Sequence, residues 1–217
     1  MLLPTRTRVC VVTRPYPFRC RPQTQKEGQS IRETILSVPT EPPANLPAGF
    51  SVVSADVGVV AEVLGWFETD EEVATWAGTR FGVPLDRARF EAHVRSSSDP
   101  AADHWCYALV SSSTTALFSY GELTNLDAEL RRADLSRLVV APAQRGRGVG
   151  TALILTLVDE AVRLGMTTIG LRVFAQNRDA LRVYERLGFV RTGQHVERTL
   201  LGERWDAVEL TLDRSSA

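Results

Sequence analysis

The sequence predicts an α/β protein, a mixed β-sheet with helices on both faces. Three observations carry that expectation. Short apolar runs with alternating character read as strands; in Thr168 to Phe174, residues Ile169, Leu171 and Val173 fall on one face. They are interleaved with stretches of helical period, of which Leu153, Ile154, Leu157, Val158 and Ala161 form the clearest stripe. Between an apolar run and that stripe lies a glycine-rich basic turn, Gln144 to Gly150, the arrangement of a strand–turn–helix anion site.

The elements follow in order. Phe50 to Val53 reads as a short first strand, and Val59 to Phe67 as a helix. Thr69-Asp70-Glu71-Glu72 is a capping box that opens a second helix with Val73 and Trp76 on one face. Asp86 caps a third, carrying Phe90 and Val94. Trp105 to Val110 and Ala116 to Leu123 read as a hairpin around Ser111 to Thr114. Asn125 to Ala133 is polar, and Leu135 to Val140 is the next strand, ended by Pro142. A long helix starts near Thr151 and stops at Gly165, where a left-handed residue belongs. After the strand from Thr168, Asn177 caps a helix with Ala180, Leu181, Tyr184 and Leu187 inward, and Gly188 ends it. Phe189 begins another strand, and Trp205 to Leu212, after a turn near Gly202, is the last.

The turn narrows the chemistry. Glycines let backbone N–H groups approach a ligand, and a helix N-terminus adds free donors and positive potential. A Walker A loop needs a Gly-Lys-Ser/Thr ending, but the only lysine is Lys26. A dinucleotide fingerprint fails by one residue, because the glycines fall at Gly146, Gly148 and Gly150. The pattern present is Arg145-x-x-Gly148-x-Gly150. Together with Asn177-Arg178-Asp179-Ala180-Leu181-Arg182-Val183-Tyr184-Glu185-Arg186-Leu187-Gly188-Phe189, it resembles the GNAT superfamily of acyl-CoA-dependent N-acetyltransferases. The resemblance is clear from Leu135 to Val190, weaker over Phe50 to Asp134 and Arg191 to Asp213, and absent before about Pro47.

That resemblance implies a GNAT fold in which the fourth and fifth strands, here Leu135–Val140 and Thr168–Phe174, splay apart around an acyl-CoA. It implies acetyl-CoA as co-substrate and a primary amine as acceptor, with no covalent enzyme intermediate. The acceptor expected first is a small molecule and second a protein N-terminus or lysine; a CoA-binding module without catalysis is the reading from another class. The expected acetyl-CoA contacts are Leu138, Val139, Val140, Arg145, Gly146, Arg147, Gly148, Val149, Gly150, Thr151 and Asn177. Tyr184 stands where many relatives carry the acid that protonates the leaving thiolate. A phenol near pKa 10 stays protonated at neutral pH, so it can donate. Many relatives place a glutamate where Arg172 stands, and an arginine cannot be a base at neutral pH. Glu122 is therefore the candidate base acting through water, with Asp134 as the other, and His104 and His195 less well placed. Trp66, Phe67, Trp76 and Phe81 either line the acceptor pocket or are plain core.

Composition bounds the remainder. A 217-residue chain suits one domain plus a tail, assigned as residues 48–217 and 1–47. A net charge of −1 gives no case for nucleic acid or an anionic membrane as partner, and no run approaches the length of a bilayer span. Cys10, Cys20 and Cys106 show no C-x-x-C pairing, which fits a reducing cytoplasm, and Cys106 reads as a buried strand residue rather than a nucleophile. Three scattered histidines offer no metal-ligand spacing, so no metal is expected. Met1 to Gln25 holds five arginines and no acid, broken by prolines, and Glu41 to Pro47 reads as a linker, so the first 47 residues are expected to be a disordered tail. Monomer and homodimer both stay open.

Overall fold

The computed structural model of the chain describes residues 49–99 and 102–215, so the expected tail and linker lie outside the described residues. Seven strands form one mixed sheet: β1 (Phe50–Ser54), β2 (His104–Ser111), β3 (Leu117–Asp127), β4 (Arg132–Val140), β5 (Thr168–Phe174), β6 (Val190–Leu200) and β7 (Glu203–Asp213). Their spatial order is β1-β2-β3-β4-β5-β7-β6. Only β4 and β5 run parallel, and they pair only from Arg132↔Thr168 to Leu135↔Leu171. Beyond that point Ser136–Val140 and Arg172–Phe174 part, which is the expected splay.

Helices cover both faces. On one, α1 (Val60–Leu64) and α3 (Arg87–Ser96) bury Val60, Val63, Phe90 and Val94 against Ala108, Val110 and Tyr120. Between them in sequence, α2 (Asp70–Ala77) opens on the expected capping box: Thr69 accepts from the Glu72 N–H, and Glu72 reaches back. On the other face α4 (Val149–Arg163) and α5 (Arg178–Arg186) bury Leu153, Leu157, Leu181 and Tyr184 against Leu123, Leu135, Ile169 and Leu210. Asp86 and Asn177 cap α3 and α5 as the sequence indicates.

Three boundaries differ from the sequence reading. The first helix is a 3-10 turn at Val57–Val59 followed by α1, which ends before Gly65 and leaves Trp66 and Phe67 in a loop. The long helix starts at Val149 rather than near Thr151, because Gly148 takes a left-handed φ of 80° and turns the chain into it two residues earlier. The polar stretch after Leu123 is strand: β3 runs on to Asp127 and β4 begins at Arg132, joined by a turn in which Asp127 accepts from the Glu129 and Leu130 N–H groups.

One irregularity shapes the site. Tyr120 pairs with Val139 but Glu122 pairs with Ser136, so Arg137 and Leu138 together face Gly121 in a β-bulge. Arg137 sits at φ 50°, uncommon for a residue with a side chain. A Cβ on Gly121 would lie 2.7 Å from Leu138 and 3.0 Å from Leu157, so glycine is what lets the bulge and α4 close on β3.

Candidate active site

The splay opens into a cleft of about 1090 Å³. One wall is α2 with the turn after it. The floor is β4 from Asp134 to Val140. The other wall is β5, the start of α5 and the β6–β7 hairpin, which reaches α2 through Leu200 and Trp205 packed on Ala74. Of the expected acetyl-CoA contacts, Leu138, Val139, Val140, Arg145 and Asn177 line this cleft. Gly146, Arg147, Gly148, Gly150 and Thr151 form the loop and first turn of α4 beside it, and the Val149 side chain is buried in the core.

The loop suits an anion. Gly146 and Gly148 hold φ values of 73° and 80°, and a Cβ on either would meet nothing within 4 Å, so the backbone is open where a ligand must approach. No side chain caps α4 at its N-terminus. Its first N–H groups and the positive dipole end therefore face outward, beside Arg145 and Arg147. Arg145 is steadied by donating from Nε to the Val140 carbonyl at 3.3 Å.

Tyr184 lines the cleft with 9% of its surface exposed. The other two described tyrosines have hydroxyl partners: Tyr107 donates to Glu160 at 3.1 Å, and Tyr120 to Glu122 at 2.7 Å. The Tyr184 hydroxyl has no protein partner among the described residues, while its ring packs edge-on against Phe189. Burial pushes its pKa up to about 12, so the phenol is neutral at any working pH. Asn177 accepts from the Ala180 N–H at 3.2 Å and also borders the cleft.

Glu122 is fully buried and does not line the cleft. Three groups donate to its carboxylate: the Tyr120 hydroxyl, Arg137, and His93 Nε2 at 2.9 Å. Burial alone raises its pKa, but the His93 bond and the charge and bond of Arg137 outweigh that and hold it at about 2. His93 is pushed down by burial, against the pull of Glu122. A neutral ring with its proton on Nε2 satisfies both neighbours, donating to Glu122 and accepting from Arg80 at 3.4 Å on Nδ1. The expected water-linked base is thus a carboxylate with no exposed surface, ionised and held by three donors. Asp134 does line the cleft, but Arg132 engages one oxygen at 3.1 Å and Asn125 the other at 2.9 Å. His195 bonds Asp206 at the surface, and His104 bonds Asp103 and the His93 carbonyl.

Sequence reasoning missed Arg137. Its side chain bonds Glu122, its carbonyl accepts from the Trp76 indole at 2.8 Å, and it lines the cleft at the bulge. The one available signal was a charged residue inside the apolar run Leu135 to Val140. Glu209 was missed too: it lies opposite Arg172 on β7 and bonds both Arg172 at 3.3 Å and Arg132 at 3.1 Å. The aromatic group divides. Trp66 and Phe81 are core, whereas Phe67 and Trp76 line the cleft. Cys106 is a buried strand residue whose thiol is pushed up to about 12 by burial and the Glu122 charge. His93, His104 and Cys106 come within 4.8 Å of one another. The two imidazoles stack at 3.9 Å with their planes 10° apart, and His93 Nε2 and both His104 nitrogens are hydrogen-bonded. Rings that ligate a common ion point their in-plane lone pairs at it, so this cluster is a poor ligand set.

The site thus combines a parallel pair that opens into a cleft, a glycine-rich basic loop at a helix N-terminus beside it, and a buried tyrosine whose hydroxyl has no partner among the described residues. The chain belongs to the acetyltransferase (GNAT) family, whose model matches residues 66–189. It is 30% identical over 106 residues to an L-methionine sulfoximine/L-methionine sulfone acetyltransferase of Salmonella typhimurium, covering 48% of this chain and 61% of that one. It is 40% identical over 60 residues to the ribosomal protein bS18 alanine N-acetyltransferase of Escherichia coli, covering 28% and 40%. The chain thus spans less than two thirds of the length of these curated relatives. Among solved structures, the spermidine N-acetyltransferase of Vibrio cholerae in complex with CoA and spermine superposes with a TM-score of 0.65 at 20% identity, over 78% of this chain and 98% of that one.

Proposed function

We propose that the protein transfers an acetyl group from acetyl-CoA to the primary amine of a small molecule, without a covalent enzyme intermediate. The observation that carries the reading is the Tyr184 hydroxyl, buried at the cleft and without a protein partner among the described residues. A core tyrosine would have its hydroxyl satisfied, as Tyr107 and Tyr120 do. The α4 loop, with Arg145 and Arg147, takes the pyrophosphate, and the β4 main chain from Leu138 to Val140 flanks the pantetheine arm, with Asn177 on its other side.

The amine nitrogen attacks the thioester carbon, the C–N bond forms and the C–S bond breaks. A backbone N–H near Val140 stabilises the oxyanion. Tyr184 donates a hydrogen bond to the departing sulfur. A phenol near 12 facing a thiol near 8.5 stabilises the thiolate rather than transferring its proton outright, and solvent completes the protonation. The acceptor's own proton leaves to water: Arg80, Arg172 and Arg198 line the cleft, and positive charge disfavours the ammonium form of a bound amine. In this reading Glu122 holds Arg137 and the bulge in place instead of serving as the base.

The relative named for L-methionine sulfoximine supports a small-molecule acceptor. A cytoplasmic setting belongs to the same proposal, supported by three cysteines without C-x-x-C pairing. Among the described residues no helix is long and apolar enough to cross a membrane. Release of free CoA from acetyl-CoA over a panel of amines is the test. Turnover with one or more small amines is expected; CoA binding without turnover over the whole panel and with peptide N-termini means a binding module instead.

A further inference from the structure

The charges around the cleft are not balanced, and the imbalance describes the acceptor. Four acids line it: Glu71, Glu72, Asp134 and Asp179. Three are engaged by the protein itself. Glu72 bonds the Glu68 and Thr69 N–H groups at 2.7 and 3.3 Å, Asp134 is held by Arg132 and Asn125, and Asp179 pairs with Arg182. Of the four, Glu71 alone has no protein partner among the described residues, exposed on the α2 wall.

The cations differ. Arg137 is neutralised by Glu122, and Arg172 shares Glu209 with Arg132. Arg80 and Arg198 line the cleft with no carboxylate bonded to either among the described residues. Arg80 bonds the His93 ring and acts through space on the Asp103 carboxylate, which is itself bonded to His104. Arg198 donates to the Glu197 carbonyl at 3.1 Å, while the Glu197 carboxylate turns away to Arg204. Arg80 extends from the turn after α2 and Arg198 from β6, the two walls that Ala74 and Leu200 bring together.

From this placement we propose that the acceptor is an amine that also carries a carboxylate, an amino acid or a close analogue, held by Arg80 and Arg198. The proposal rests on the acetyltransferase reading of the cleft and adds the acceptor's second group. The guanidinium fork suits a carboxylate, giving two parallel N–H···O bonds. A polyamine would bring a second cation to a cleft whose one free acid is Glu71. The products are the N-acetyl amino acid and CoA; the ammonium protons not retained in the amide leave to solvent and to the thiolate.

The test is a kinetic comparison of matched pairs that differ only in the carboxylate: each of the protein amino acids against its decarboxylated amine, with spermidine as the polycation. For the pair that fits the pocket, kcat/KM is expected to favour the amino acid by roughly tenfold or more, the worth of a charged hydrogen bond. Arg80→Gln with Arg198→Gln should bring that ratio close to one, mainly through KM, in protein shown by its melting curve to be folded. Equal rates within every pair, a preference for the decarboxylated amines, or spermidine as the best acceptor overturns the proposal. If no amine is acetylated, the transferase reading is what fails. Calorimetry of the same amino acids against CoA-saturated protein then decides the carboxylate site: binding lost in the double variant supports it, and no binding overturns it.

Discussion

The two ends of the cleft are built by different means. The proposed acetyl-CoA end comes from two short, contiguous segments, the loop Arg145–Gly150 and the helix with its Asn177 cap, and among the described residues the groups assigned to the ligand are left unpartnered: glycine backbone, a helix end with no side-chain cap, the Tyr184 hydroxyl. The proposed acceptor end is assembled from α2, the turn after it, α3, β3, β4 and β6; the chain His93–Glu122–Arg137 is bonded together behind its floor, while Arg80 and Arg198 bond no carboxylate among the described residues. Groups meant for a ligand are left open, and groups that hold the floor are closed. A polar residue's partner list therefore says more about its role than its identity does.

The largest effect that separates the two ends is on binding. Gly148→Trp places a bulky side chain in space that is empty of protein, at a φ of 80° that strains the loop by about 1–2 kcal/mol, so the fold is weakened but kept while acetyl-CoA loses its seat. Calorimetry is expected to show no binding; unchanged affinity in a folded variant would break the assignment of the loop.

Next comes the floor. Glu122→Gln removes the charge that Arg137 is buried against, which costs about 3–5 kcal/mol of stability by analogy with broken buried pairs. Denaturant unfolding measures it, and a loss under 1 kcal/mol would mean that the network is not the anchor described above.

A smaller effect is the response to acid. The folded His93 pKa lies below its ordinary value, so the unfolded chain binds a proton that the folded one does not. Stability is then full above about pH 6.5 and falls as pH drops through that value. Glu122, held at about 2, adds a second loss only below about pH 4.5. His93→Gln keeps a donor toward Glu122 and should flatten the change in melting temperature between pH 7 and 5; an undiminished slope would place that titration elsewhere. The least effect is expected from removing the residues before Asn45. Their composition offers little periodic apolar surface, so the melting temperature should stay within about 2 °C and acetyl-CoA affinity should be unchanged.

The same contrast explains what could be read without a structure. The order of elements, the capping residues Thr69, Asp86 and Asn177, and the β4–β5 splay were legible, because caps, periodicity and the two motifs are local signals. The placement of Tyr184 and of the loop at the cleft was legible for the same reason. Glu122 was singled out, but its environment was not foreseeable, since its three donors come from residues 93, 120 and 137. Arg137 and Glu209 escaped entirely: one sits at a bulge that no turn residue announces, and the other matters only because β7 inserts beside β5. Trp76 could be read as pocket or as core and is both, its ring packed at tilted and edge-on angles among Phe67, Phe81 and Phe90 while it lines the cleft, and its indole N–H tied to the bulge.

The central claim is that an open hydroxyl at the cleft donates a hydrogen bond to the departing sulfur, and Tyr184→Phe tests it most directly. The variant keeps the ring against Phe189 and removes only the donor. Steady-state kinetics, acetyl-CoA calorimetry and thermal melting on one preparation are expected to show near-native affinity and stability, with kcat down by roughly one to three orders of magnitude. Native turnover with a stability loss of about 1 kcal/mol would make Tyr184 a packing residue with a hidden hydrogen bond, and would contradict the account.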